Sequence, residues 1–142
     1  MAAISSFPDV VNVIFGNPTT ITKRASATIK RGQFVAPDPS AKSKVKPYAA
    51  GGLGMGGLKP LGVAQDDAVD GQDVAITVVG IAYVANGDAS TAIDPGVAIH
   101  VDGYAGAVMA ATTSDCVVGM TIDQIAGNGI GRAVILGGVT IF

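Results

Sequence analysis

The chain has 142 residues, a length that suits one domain with a single buried core. Hydrophobic residues make up 49% and charged residues only 14%, against about 25% in an average domain, which excludes charge-driven disorder of the whole chain. The formal charge of −2 argues against bulk attraction to nucleic acid or to an anionic membrane.

The choice of residues points to strands. There are 18 Val, 13 Ile and 10 Thr against 4 Leu, and all eleven acids are Asp. β-Branched side chains favour strands, whereas the scarce Leu and absent Glu favour helices. Twenty Gly and seven Pro supply chain reversals. The fold class expected is all-β, a small β-barrel or sandwich. The many Ala are read as small residues on closely packed strands. Cys116 is the one cysteine, so neither an intrachain disulfide nor a cysteine metal cluster is expected. The longest apolar stretch, 74–85, is broken by Thr77 and Gly80 and is too short to span a bilayer. The N-terminus lacks a basic region followed by a long apolar run. A soluble protein kept without export is the expectation.

Residues 1–28 carry Phe7, Val10, Val11, Ile14 and Phe15, interrupted by Pro8 and by Gly16-Asn17-Pro18. They read as an N-terminal extended arm, with an edge strand of the same domain as the alternative. The β domain is expected over 29–142. Its predicted strands are 29–36, 61–65, 73–79, 81–85, 97–101, 106–110, 117–122, 131–136 and 139–142. Reversals are expected at Asp70-Gly71, Asn86-Gly87, Asp102-Gly103, Gly127-Asn128-Gly129 and Gly137-Gly138. Residues 37–60 read as a long connector, in which Lys42, Lys44 and Lys46 precede a Gly-rich tract over 49–60.

Two similar β units are expected, over 29–85 and 93–142. An offset of 57 maps Gly62 onto Gly119, Val63 onto Met120, Asp66 onto Asp123, Ala68 onto Ile125 and Gly80 onto Gly137. An offset of 64 maps Ile29 onto Ile93, Gly32 onto Gly96 and Val35 onto Ile99. Chance agreement in a chain rich in Gly, Ala and Val is the competing explanation. Charge is also divided. Residues 1–59 hold eight of the nine basic residues and two Asp, and 60–142 hold Arg132 and nine Asp.

Catalytic chemistry is poorly supported. Gly52, Gly54 and Gly57 have dinucleotide-loop spacing, but Leu58-Lys59-Pro60 follows where the helix that holds a pyrophosphate should begin. His100 is alone and lies inside a predicted strand; Cys116 reads as a small buried residue. Asp66 and Asp67 would point to opposite faces of an extended chain and form no carboxylate dyad. The Lys42, Lys44, Lys46 run has only Tyr48 as an aromatic neighbour, a thin case for nucleic acid. No enzyme activity, cofactor, metal or small-molecule substrate is expected, and neither a membrane nor a nucleic-acid partner.

The chain from Ile29 onward resembles the capsid decoration, or cement, proteins of phages, encoded beside the major capsid protein; some members carry a recombinase label. The resemblance rests on Ile29-Lys30-Arg31-Gly32-Gln33-Phe34-Val35, Leu61-Gly62-Val63-Ala64, Ala68-Val69-Asp70-Gly71-Gln72-Asp73-Val74, Val79-Gly80-Ile81-Ala82, Val118-Gly119-Met120 and Gly131-Arg132-Ala133-Val134-Ile135-Leu136. It implies a β-barrel or sandwich made in the host cytoplasm. This body binds the outer surface of an assembled phage head and bridges subunits of the major capsid protein, commonly as a trimer at three-fold positions. A tail, baseplate or head-fibre component, or a small carbohydrate- or nucleic-acid-binding module, is the alternative. The candidate interface to the capsid or to a neighbouring protomer comprises Phe7, Val10, Ile14 and Phe15 as apolar anchors, with Lys23, Arg24, Lys30 and Arg31 as a basic flank. The acidic half is expected to face solvent.

Overall fold

The computed structural model describes residues 19–48, 60–101, 108–110 and 116–141. Every regular element among them is a strand: β1 (Thr19–Ala25), β2 (Phe34–Asp38), β3 (Ala41–Pro47), β4 (Gly62–Ala64), β5 (Asp73–Ala85), β6 (Ala98–Val101), β7 (Val108–Ala110), β8 (Cys116–Thr121) and β9 (Ile130–Ile141). The all-β expectation holds. Strand order is β1-β3-β2-β4-β5-β9-β8-β6-β7, and β1 also pairs with β5.

That last pairing closes β1, β3, β2, β4 and the first half of β5 into a five-stranded ring. Its interior holds Ala25, Ile29, Val35, Val45, Ala64, Ala68, Val74 and Ile76. The second half of β5 pairs with β9 from Val79–Leu136 to Ala85–Ile130. From there β9 leads through β8 and β6 to β7, and a parallel bridge from Val108 back to Asn86 completes a second ring. The second core gathers Ala82, Val84, Ile93, Ile99, Val101, Val108, Val118, Ile125, Ala133 and Ile135, together with Phe34 and Val63 from the first ring. Each ring hides most of its sheet edges, which suits a chain too rich in β-branched residues to cover them with helices.

Register relates the rings. In the first, Val63 pairs with Thr77 and Ala64 with Ile76; in the second, Met120 pairs with Val134 and Thr121 with Ala133. Phe34–Val63 and Val35–Gly62 correspond to Ala98–Met120 and Ile99–Gly119. The bridge Ile29–Ala68 corresponds to Ile93–Ile125. All follow the offsets of 57 and 64. A third offset of 61 turns the β1–β5 pairs Thr20–Thr77 to Arg24–Asp73 into the β5–β9 pairs Ile81–Val134 to Ala85–Ile130. The second half of β5 is thus the β1 of the second ring.

The structure corrects several expectations. Residues 19–25, read as part of the arm, form β1 and pair with both β3 and β5. Part of the expected connector is β3, whose Val45 points inward between Lys44 and Lys46. Gly80, with φ 114°, does not separate two strands but lies within one of 13 residues. Gly137-Gly138 likewise lies inside β9. Asn86-Gly87 closes no hairpin, because Asn86 bridges to β7. Gly71 does take the left-handed turn expected of it, with φ 87°. The β6–β7 antiparallel pair is present, while its tip at Asp102-Gly103 lies outside the described residues.

Candidate interaction surfaces

Phe7, Val10, Ile14 and Phe15 lie outside the described residues. The four basic candidates fall in two places. Lys23 and Arg24 are exposed on β1, and Arg24 lies 3.5 Å from Asp73. Lys30 and Arg31 are exposed on the turn before β2. The backbone N–H of Arg31 donates to Asp67 Oδ1 at 2.8 Å, and that of Lys30 to Gln33 Oε1 at 2.9 Å. The Arg31 guanidinium lies 4.7 Å from the centre of the Tyr83 ring, so it grips the second ring through a cation–π contact.

The charge division along the sequence is blunted in space. Asp70 and Asp73, from the acidic half, fold onto the first ring, where Lys44 lies 3.5 Å from Asp70. Lys42, Lys44 and Lys46 alternate along β3, beside Arg24 on β1, which pairs with Lys44. The result is a cationic stripe broken by carboxylates. Asp38, near Lys46, is held below the usual carboxylate range by the Ser26 hydroxyl and the Ser40 backbone N–H. Such exposed pairs set orientation and encounter more than stability.

The second surface was not foreseen. The outer side of β5, β9 and β8 carries Tyr83 (41% exposed), Ile130 (46%), Leu136 (47%) and Met120 (47%). Half-buried Ile81 and Val134 form a cross-strand pair between them. Arg132, opposite Tyr83, donates from Nε to Asp123 Oδ2 at 2.7 Å and from Nη2 to Asp123 Oδ1 at 3.1 Å. This fork holds the Asp123 carboxyl below the usual carboxylate range. Tyrosine, methionine and arginine on an uncovered apolar sheet face are the composition of a protein–protein interface. The sequence signal was the 74–85 run itself, apolar at odd as well as even positions, which marks a strand covered on both faces.

Among the described residues no group of three His, Cys, Asp or Glu could hold a metal ion. The family model of the phage cement proteins matches residues 13–136. The chain belongs to that family: it is a structural protein of the phage capsid, associated with the virion. The fold is similar to a crystal structure of the head-fibre N base of bacteriophage phi29. The TM-score is 0.63 and the identity 17%, over 87% of this chain and 98% of that one. No curated protein sequence matches.

Proposed function

We propose that the protein decorates the outside of an assembled phage head and stabilises it by bridging neighbouring subunits of the major capsid protein, as a homotrimer at three-fold positions. The observation that carries this reading is the family match across both rings. The mechanism is mass action. A protein that binds the assembled lattice and not the free subunits lowers the free energy of the lattice alone, by about 2.7 kcal/mol per site at a hundredfold excess over Kd. A double ring closed by strand ladders is suited to this, because a ligand ordered before binding loses little entropy on docking. The β3 stripe of Lys42, Lys44 and Lys46 faces the capsid in this reading and steers encounter with acidic loops. No catalysis takes part.

Co-sedimentation with assembled capsids and with free capsid protein is the test. Binding to capsids alone, with a rise in the temperature at which they disrupt, is the expected result. Equal binding to free subunits would sink the mechanism. Replacing Lys42, Lys44 and Lys46 by Gln should weaken capsid binding about tenfold at low salt and less at high salt, where charges beyond about 8 Å are screened. His100→Ala with Cys116→Ser should leave it within a factor of a few.

A further inference from the structure

The two rings are equivalent in register but not in cover. On β2 and β4, Val35 and Ala64 point into the first ring, so Phe34 and Val63 point outward. Both are nonetheless buried, at 2% and 0% exposure, because they are built into the second ring's core. Beside them the turn at Gly32 is seated on β5. The Ala85 backbone N–H donates to the Gly32 carbonyl at 2.9 Å, and a Cβ on Gly32 would meet the same nitrogen at 2.9 Å. In the second ring the equivalents of Phe34, Val63 and Gly32 are Ala98, Met120 and Gly96. Ala98 is half-buried, Met120 is 47% exposed, and a Cβ on Gly96 would meet nothing within 4 Å.

The receiving side shows the same asymmetry. Ala82, Val118 and Ile135 belong to the core that takes in Phe34 and Val63, and are at most 3% exposed. Their equivalents in the first ring, Ile21, Leu61 and Val78, are only half-buried. One ring thus has a partly uncovered plug and the other a partly uncovered socket, in which Ile21 and Leu61 pack against the first ring's own core, and within the chain the same plug and socket are already joined.

We infer that the face made by Ala98, Met120 and the Gly96 turn docks on the Ile21, Leu61 and Val78 side of the first ring of a second copy. This repeats between chains the contact that joins the two rings within one. Charge favours the occupant. The equivalents of Lys30 and of Val84-Ala85 are Asp94 and Lys23-Arg24, so the contact brings the Asp94 turn of one copy against the exposed basic end of β1 of the next. Both groups are exposed and lightly held: among the described residues the Asp94 carboxylate accepts from the Gln124 amide at 3.0 Å, and Arg24 lies 3.5 Å from Asp73. A plug-to-socket contact is heterologous and closes into a ring when the rotation allows. Only the number three rests on the capsid reading.

Sedimentation velocity on the full chain, with no capsid present, tests the contact. The wild type is expected at three times the chain mass at micromolar concentration. Met120→Glu should sediment as a monomer, and Lys23→Glu with Arg24→Glu should raise the concentration needed for assembly at least tenfold, both with unchanged circular dichroism. A mixture of the two variants retains one sound contact per pair and should stop at dimers. Adding Asp94→Lys to the Lys23→Glu, Arg24→Glu variant should restore assembly. A wild type that stays monomeric, assembly indifferent to Met120→Glu, or failure of the charge exchange overturns the inference. Capsid co-sedimentation of the same samples keeps the two ideas apart. A monomeric variant that still binds capsids leaves the decoration reading standing, and an assembled wild type that ignores them removes it without touching the contact.

Discussion

Gly62 lies directly against the backbone carbonyl of Thr77, and a Cβ placed on it would overlap that oxygen. Gly119 stands in the same relation to Val134, its equivalent 57 residues on. In both places the obstacle is backbone held in a ladder, so it cannot give way as a side-chain end would. Gly62→Ala and Gly119→Ala should each destabilise by at least about 1–3 kcal/mol, the usual cost of overpacking. Gly71→Ala, at φ 87° but with open space around it, isolates the torsional effect and should cost about 1 kcal/mol. Thermal unfolding of the three variants checks the order.

The glycines and the offsets between them were legible because turns and close approaches demand particular residues. Ile29 and Ala68 exchange two backbone hydrogen bonds, and Ile93 and Ile125 exchange the same two. β3 was not legible, and β1 only as the alternative of an edge strand. Only Ile21 and Ala25 in β1, and Val45 in β3, turn towards the core; the Lys and Thr around them suggest an extended arm, or at most an edge strand, over 19–25 and a connector over 41–47. Gly80 suggested a break, yet the strand runs on through it from one ring into the other. Of the candidate residues, Lys23 and Arg24 could be chosen by charge alone. The grip of Arg31 on Tyr83 could not, because it depends on how the rings meet. Met120 and Leu136 were hidden for a related reason: their exposure follows from which of two equivalent faces the fold covers.

Thr77 is fully buried and its hydroxyl has no hydrogen-bond partner among the described residues. A buried polar group without a partner loses its hydration for nothing, about 1–3 kcal/mol on mutational scales. The equivalent position in the second ring is Val134, which shows that the ladder accepts this isostere. Thr77→Val should therefore stabilise the protein by about 1 kcal/mol, a rise of a few degrees in Tm for a domain of this size. Thr77→Ser keeps the hydroxyl and opens a small void, and should lower Tm.

Asn86 is the opposite case, a buried polar side chain in use. Its amide nitrogen lies 2.9 Å from the Thr91 carbonyl, 3.2 Å from that of Ile125 and 3.3 Å from that of Ala126, and its oxygen accepts from the Asp88 N–H at 2.9 Å. It ties the end of β5 to the two segments that flank the second ring. Asn86→Leu should cost about 2–3 kcal/mol through the carbonyls and N–H left unpaired. Hydrogen exchange should quicken around residues 86–93 and 125–129 before it does in the first ring.

Acid should weaken the fold through particular carboxylates. Asp38 is held low by Ser26 and Ser40, Asp88 by the Ser90 backbone and hydroxyl, and Asp123 by Arg132. A folded-state pKa below the unfolded value means that the unfolded chain binds protons first as pH falls. The stabilisation is thus present above the ordinary carboxylate pKa of about 3.9 and is lost as pH drops through and below it. Tm should be flat from neutral pH to about pH 5 and fall below about pH 4. Ser26→Ala, which removes the largest influence on Asp38, should flatten part of that fall. An unchanged acid limb in Ser26→Ala would show that this bond does not carry the dependence.

Removing residues 2–18 separates the apolar candidates from the rings. β1 begins at Thr19, opposite Val79, so the deletion leaves every pairing of β1 with β3 and β5 in place. The truncated chain should fold with the same circular dichroism and a Tm within a few degrees of the full chain. Any change in capsid binding is then owed to the removed segment, which holds Phe7, Val10, Ile14 and Phe15. Burying one such side chain fully is worth about 1.5–3 kcal/mol, so even partial burial of the four on a capsid or a neighbouring copy would strengthen binding by more than tenfold. Capsid binding of the truncated chain should accordingly fall at least tenfold, mostly through faster dissociation, because apolar anchors govern release while charge governs encounter. A truncated chain that decorates capsids as tightly as the full one, with the same dissociation rate, would assign docking to the rings alone.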